Sequence, residues 1–129
     1  MINDTLSPFL PKTQLAIIEE CLDGEEREFF VKKIDELTRI IDAMPVTFQQ
    51  EQMGTEAIAH LHYFFGGCDW YITEKDFEGD GTIQSWGMAD LGYGPECGYI
   101  SIQEIVQSGA PIELDLHWQP TTLAEIKKQ

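Results

Sequence analysis

Three histidines and a set of carboxylates are spaced so that a strand would bring them onto one face. His60 and His62 stand two apart, as do Asp69 and Tyr71, and so do Glu113, Asp115 and His117. In an extended chain, residues two apart point the same way. An H-x-H pair on a strand can ligate zinc or a similar divalent ion, and a carboxylate with a third histidine would complete the shell. If these segments join one sheet, His60, His62, Asp69, Tyr71, Glu113, Asp115 and His117 converge. They are the candidate ligand or metal site, set against the plainer reading of solvated sheet residues. No cofactor is assigned.

Other chemistries find less support. There is no G-x-S-x-G sequence and no local cysteine signature, so nucleophilic catalysis has no motif to stand on. Gly92-Tyr93-Gly94-Pro95 lacks both a lysine and a following helix start, which a phosphate cradle requires. Asp76-Phe77-Glu78-Gly79-Asp80-Gly81-Thr82-Ile83 begins like a calcium loop, but its twelfth position is Gly87 where a bidentate glutamate is needed. An acidic turn bending at Asp80-Gly81 is expected there. Three widely spaced cysteines, Cys21, Cys68 and Cys97, predict reduced and mostly buried thiols.

Charge is the second informative feature. The 129 residues carry a net charge of -15, and the 51 positions between Lys75 and Lys127 hold no lysine or arginine. Nine carboxylates lie there: Asp76, Glu78, Asp80, Asp90, Glu96, Glu104, Glu113, Asp115 and Glu125. Glu104 and Glu125 fit helix caps. The other seven, Asp76, Glu78, Asp80, Asp90, Glu96, Glu113 and Asp115, form a candidate acidic face for a protein partner with a basic surface. Direct nucleic-acid binding is disfavoured, because no basic stripe exists to neutralise phosphates. No apolar run approaches the ~20 residues of a membrane span, and Met1 to Pro11 does not resemble a signal peptide, so a cytoplasmic location is expected.

The elements that must position these residues can be read from periodicity. Phe30, Ile34, Leu37, Ile41 and Met44 form one stripe of a helix over Glu25 to Met44, stopped by Pro45. Leu15, Ile18 and Leu22 form a shorter stripe, and Asp23-Gly24 supplies the turn between, with Gly24 expected in the left-handed conformation. Residues 46 to 56 show no period and read as a loop. His60 to Thr73 reads as a hairpin about Gly66-Gly67, with positive φ expected at both glycines. Its register pairs Phe65 with Cys68, Tyr63 with Trp70 and Leu61 with Ile72, and those six residues form the core face. His60, His62, Phe64, Asp69, Tyr71 and Thr73 face the other way.

Strands are expected over Thr82 to Leu91 and Gly98 to Ile100. The last strand, Ile112 to Trp118, should place Ile112, Leu114, Leu116 and Trp118 inward and Glu113, Asp115 and His117 outward. Ser101-Ile102-Gln103-Glu104 and Thr122-Leu123-Ala124-Glu125 match capping boxes that open short helices. The sum is one α+β domain over residues 1–129. A helical hairpin (1–45) packs on one face of an antiparallel meander with short helices (57–129).

Three ordered segments, HLHYFFGGCDWYITEKD from His60, GYISIQEIV from Gly98 and ELDLHWQPTTLAEI from Glu113, resemble a family of small bacterial proteins of unknown function. Its members are common on plasmids, prophages and other mobile elements. The resemblance covers about the last 70 residues and implies no catalytic residues. It implies a setting in which small acidic proteins include antirestriction and anti-CRISPR inhibitors.

Overall fold

A computed structural model describes residues 2–128. Helix α1 (Lys12–Cys21) and helix α2 (Arg27–Ala43) form the expected hairpin. α2 ends where Met44 takes the extended conformation that a residue before proline prefers. The turn differs from expectation in one respect: Gly24 does not have a positive φ. The end of α1 is closed instead by hydrogen bonds, Gly24 N–H to Cys21 O (3.2 Å) and Arg27 Nη1 to Leu22 O (2.9 Å).

Short strand β1 (Ile58–Ala59) precedes the hairpin strands β2 (Leu61–Phe65) and β3 (Cys68–Glu74). β4 (Ser85–Asp90) and β5 (Pro95–Ile100) continue the meander, and α3 (Ile102–Gln107) follows. β6 (Glu113–Leu114), β7 (Thr121–Thr122) and α4 (Leu123–Lys127) complete the chain. The main sheet is antiparallel, in the order β5-β4-β3-β2-β6, while β1 pairs with β7 in a separate two-stranded ribbon. Both capping residues act as expected: Ser101 accepts from Glu104 N–H, and Thr122 from Glu125 N–H.

The β2–β3 register is the one the alternation predicts, with Leu61 opposite Ile72, Tyr63 opposite Trp70 and Phe65 opposite Cys68. Only Gly66 has positive φ (57°); Gly67 does not, so the turn meets the requirement of a type II′ bend, not a type I′. Leu61, Tyr63 and Ile72 are buried against Ile18, Leu22, Ile34, Leu37 and Ile41 of the helices. The core face fades toward the turn, where Phe65 is exposed and Cys68 half-buried. Cys21 is also half-buried and Cys97, on the edge strand β5, is exposed, so none of the three free thiols is buried as expected.

Two features of the core lie outside the periodic patterns. Leu6, Phe9 and Leu10, ahead of α1, are buried in it, and the phenol of Tyr63 donates to Phe9 O. Gln14 of α1 is buried and closes the free edge of β6: its Nε2 donates to Leu114 O and its Oε1 accepts Leu114 N–H, both at 2.8 Å. One amide side chain stands in for a sixth strand, satisfying groups that would otherwise be orphaned in the interior. The loop expected over 46–56 is partly ordered as a 3-10 turn (Glu51–Glu56) kinked at Gly54.

The fourth strand begins at Ser85, because the residues before it are fixed in a turn: Thr82 Oγ1 donates to Asp80 and Ser85 Oγ to Gly81 O. The expected last strand is the largest correction. It stops after Leu114, since Asp115 Oδ1 accepts His117 N–H (3.0 Å) and Asp115 O accepts Trp118 N–H (3.3 Å). That turn cancels the alternation. Trp118 leaves the helix side and crosses to the other face of the sheet, where it packs with Ala57, Ala59, Met88, Leu123 and Ile126.

The sheet is thus covered on both sides over much of its area, and β3 and β4 approach closely. A Cβ on Gly87 would sit 2.0 Å from the backbone oxygen of Tyr71 and 3.1 Å from Ile100 Cδ1. Gly87→Ala must therefore push two central strands apart, costing about 2 kcal/mol or more. Its melting temperature should fall by roughly 5–10 °C. A melting curve superimposable on that of the parent would show that this approach is not needed.

Candidate interaction face around His62

On the face turned away from the helices, register puts side chains into rows. One row runs Glu113, Phe64, Asp69 and Asp90 across four strands, since Phe64 pairs with Glu113 and Asp69, and Asp69 with Asp90. The next runs His62, Tyr71, Met88 and Cys97. Asp115, past the end of β6, reaches the second row because its N–H is held by His62 O (2.8 Å).

His62 is the hub. Its Nε2 lies 2.8 Å from Asp69 Oδ1 and its Nδ1 lies 3.1 Å from Asp115 Oδ2. Its ring stacks on Tyr71 (4.7 Å between centroids, 7° between planes) and touches Trp118 at 4.9 Å. A neutral imidazole donates to one of these carboxylates, a protonated one to both. Desolvation pushes the Tyr71 phenol up from its ordinary value, aided by the negative charges of Asp69 and Asp90. Trp118 anchors the far side by donating its indole N–H to Ala59 O (3.0 Å).

The expected ligand set is thus partly assembled, and in a form unsuited to a metal. His62, Asp69 and Tyr71 come together as the hairpin register requires. The two carboxylates, however, lie at opposite nitrogens of the ring, so the donors point at one another and not at a shared centre. Among the described residues no group of three or more His, Cys, Asp or Glu side chains is placed to hold a metal ion. His117, exposed in the turn after Asp115, lies beside Phe29 of α2 (6.2 Å), away from His62. His60 is half-buried between β1 and β2, its N–H bonded to Ile72 O.

The seven acids of the candidate partner face do not stay together. Asp76 is buried, accepting Glu78 N–H (3.1 Å) and Gln84 N–H (3.0 Å) inside its own turn. Asp80 accepts from Thr82, while Glu78 is exposed on the same turn. Glu96 pairs with Ala89 on the helix side of the sheet. Glu113, Asp90 and Asp115, with Asp69, share the His62 face. Trp118 was not foreseen as part of it, because only the turn made by Asp115 brings it there.

A family model described as a protein of unknown function (DUF2958) matches residues 32–126, which is most of the chain, so the protein belongs to that family. The match begins inside α2 and so extends well upstream of the hairpin at which the sequence resemblance starts. No curated protein and no solved structure matches the chain. Among the described residues, no helix is long and apolar enough to cross a membrane.

Burial holds the imidazole of His60 below its ordinary value of 6.5. The unfolded chain therefore takes up this proton more readily than the folded one. The stability this group contributes is full above about pH 6.5 and is lost as pH falls through the depressed folded value. His60→Gln should remove that component, making chemical-denaturation stability fall less between pH 7 and pH 5 than in the parent. Equal losses in the two proteins would contradict the assignment.

Proposed function

We propose that this protein is an interaction protein that sets its acidic sheet end against a basic surface of another protein. The observation that carries the reading is the direct pairing of Asp69 with Asp90 across β3 and β4, extended through Phe64 to Glu113. Like charges placed opposite each other in a sheet are destabilising. Among the described residues the only basic side chain bonded to this row is His62, which bonds Asp69 and, beside the row, Asp115. A cationic partner would offset the repulsion that the folded chain retains.

The family resemblance suggests a setting. On a plasmid or prophage, a partner of this kind would be a basic, nucleic-acid-binding host protein, with this chain acting as an antirestriction or anti-CRISPR-like inhibitor. Nucleic acid itself would not bind. The alternative use of this face, as a small-molecule or metal site, is disfavoured because His62 already spends both ring nitrogens on Asp69 and Asp115.

The test is binding to a panel of basic host nucleases in low and high salt. Affinity should fall at least about tenfold between about 50 mM and about 500 mM salt. The triple variant Asp69→Asn, Asp90→Asn, Glu113→Gln should bind about tenfold more weakly at low salt while melting no lower than the parent. Absence of binding to the whole panel, or binding indifferent to salt, would remove the proposal.

A further inference from the structure

The face that carries the acidic row also holds a cavity of about 330 Å³ at its opposite end, where β3, β4 and β5 meet the 46–57 loop and α4. A β-bulge builds it. Ile72 pairs with Gly87 but Glu74 pairs with Trp86, so β3 carries one extra residue, Thr73. The bulge breaks the alternation that would send Glu74 to the helix side, and both Thr73 and Glu74 line the cavity.

Glu74 is buried and its charge is spent on the backbone. One oxygen accepts Phe48 N–H (3.0 Å) and the other Gln50 N–H (2.5 Å). Gln50 is spent as well, bonded through its amide to Ile58 and to Thr73 O. This clamp holds Phe48 at φ 80°, the single non-glycine residue with positive φ among those described. A benzyl side chain in that conformation is strained, and here the ring gains little from the fold, since it is 57% exposed at the cavity wall. Strain of this kind collects where a ligand is gripped.

The opposite wall is aromatic. Trp86 and Tyr99 meet edge to face, 5.0 Å apart at 88°, with Ala57 and Leu123 behind them. The remaining charged lining group is Lys127, exposed on the last turn of α4 and in no ion pair among the described residues. It closes the long base-free stretch of the sequence. In a chain of net charge -15, an ammonium in no ion pair among the described residues, at the mouth of an aromatic cavity, attracts an anion locally.

We propose that this cavity binds a planar aromatic molecule of one or two rings bearing a single anionic group. The rings would lie against Trp86, Tyr99 and Phe48, and the anion would meet Lys127. The volume is at the lower end of the ~300–1,000 Å³ range of small-molecule sites, which limits the ligand to that size. A cationic ligand is opposed by Lys127, and Glu74 offers it little because both its oxygens already accept backbone N–H groups. The site is independent of the acidic row.

Two fluorescent dyes with the same two fused rings isolate the charge: naphthalene-2-sulfonate, which is anionic, and naphthalene-2-sulfonamide, which is neutral. The sulfonate should bind saturably with 1:1 stoichiometry. Lys127→Met should weaken it about five- to tenfold and leave the neutral dye within about twofold. Trp86→Ala should weaken both. Should that variant fail to fold, Cys97 supplies a second readout in the unaltered protein, since it lines the cavity and is exposed. Saturating sulfonate dye should slow alkylation of Cys97 severalfold without slowing that of Cys21. No saturable binding, an equal effect of Lys127→Met on both dyes, or unchanged Cys97 alkylation would overturn the proposal.

Discussion

The pairing of β2 with β3 about Gly66-Gly67 is the constraint on which the rest depends. Because side chains alternate, this register decides in one step that Leu61, Tyr63 and Ile72 meet the helices and that His62, Asp69 and Tyr71 meet the other layer. Both layers are filled, one by α1, α2 and the segment around Phe9, the other by Trp118 and α4. A slip by one residue would bury His62 and Asp69 under the helices and expose Tyr63, which no side-chain adjustment could repair.

The same constraint sorts the acids. Carboxylates that lie close together in the sequence take different places in the fold. Asp76 ties its own turn, Glu74 holds the 48–50 backbone, and Glu104 and Glu125 lie in the first turns of their helices. Asp69, Asp90, Glu113 and Asp115 are left on one sheet end, with His62 between two of them. Net charge alone therefore does not say where in the fold the acids stand.

What was legible in the sequence was whatever depends on near neighbours. Alternation about Gly66-Gly67 gave the hairpin register, the stripe from Phe30 to Met44 gave α2, and Ser101 and Thr122 announced their helices. The misreadings lie where a side chain bonds the backbone. Asp115 captured His117 N–H and ended a strand whose alternation looked perfect. Gln14 replaces a strand across a hundred residues of sequence, and the positive φ of Phe48 is held by Glu74, 26 residues away. Residues of type Gln, Glu and Phe carry no local sign of such roles. The cavity wall at Phe48 follows from such a long-range bond, whereas the Trp118 contact and the place of Asp76 come from side chains that bond the backbone within their own turns.

Preferential attraction of a cationic chain to the Asp69–Asp90–Glu113 end of the sheet can be tested by mapping backbone amide shifts in NMR spectra as a peptide of about ten lysines is added at low salt. Perturbations should concentrate at residues 64–69, at Asp90 and at residues 113–117. Perturbations of equal size along the exposed acids of α1 and α2, such as Glu19, Glu20, Asp35 and Glu36, would contradict it.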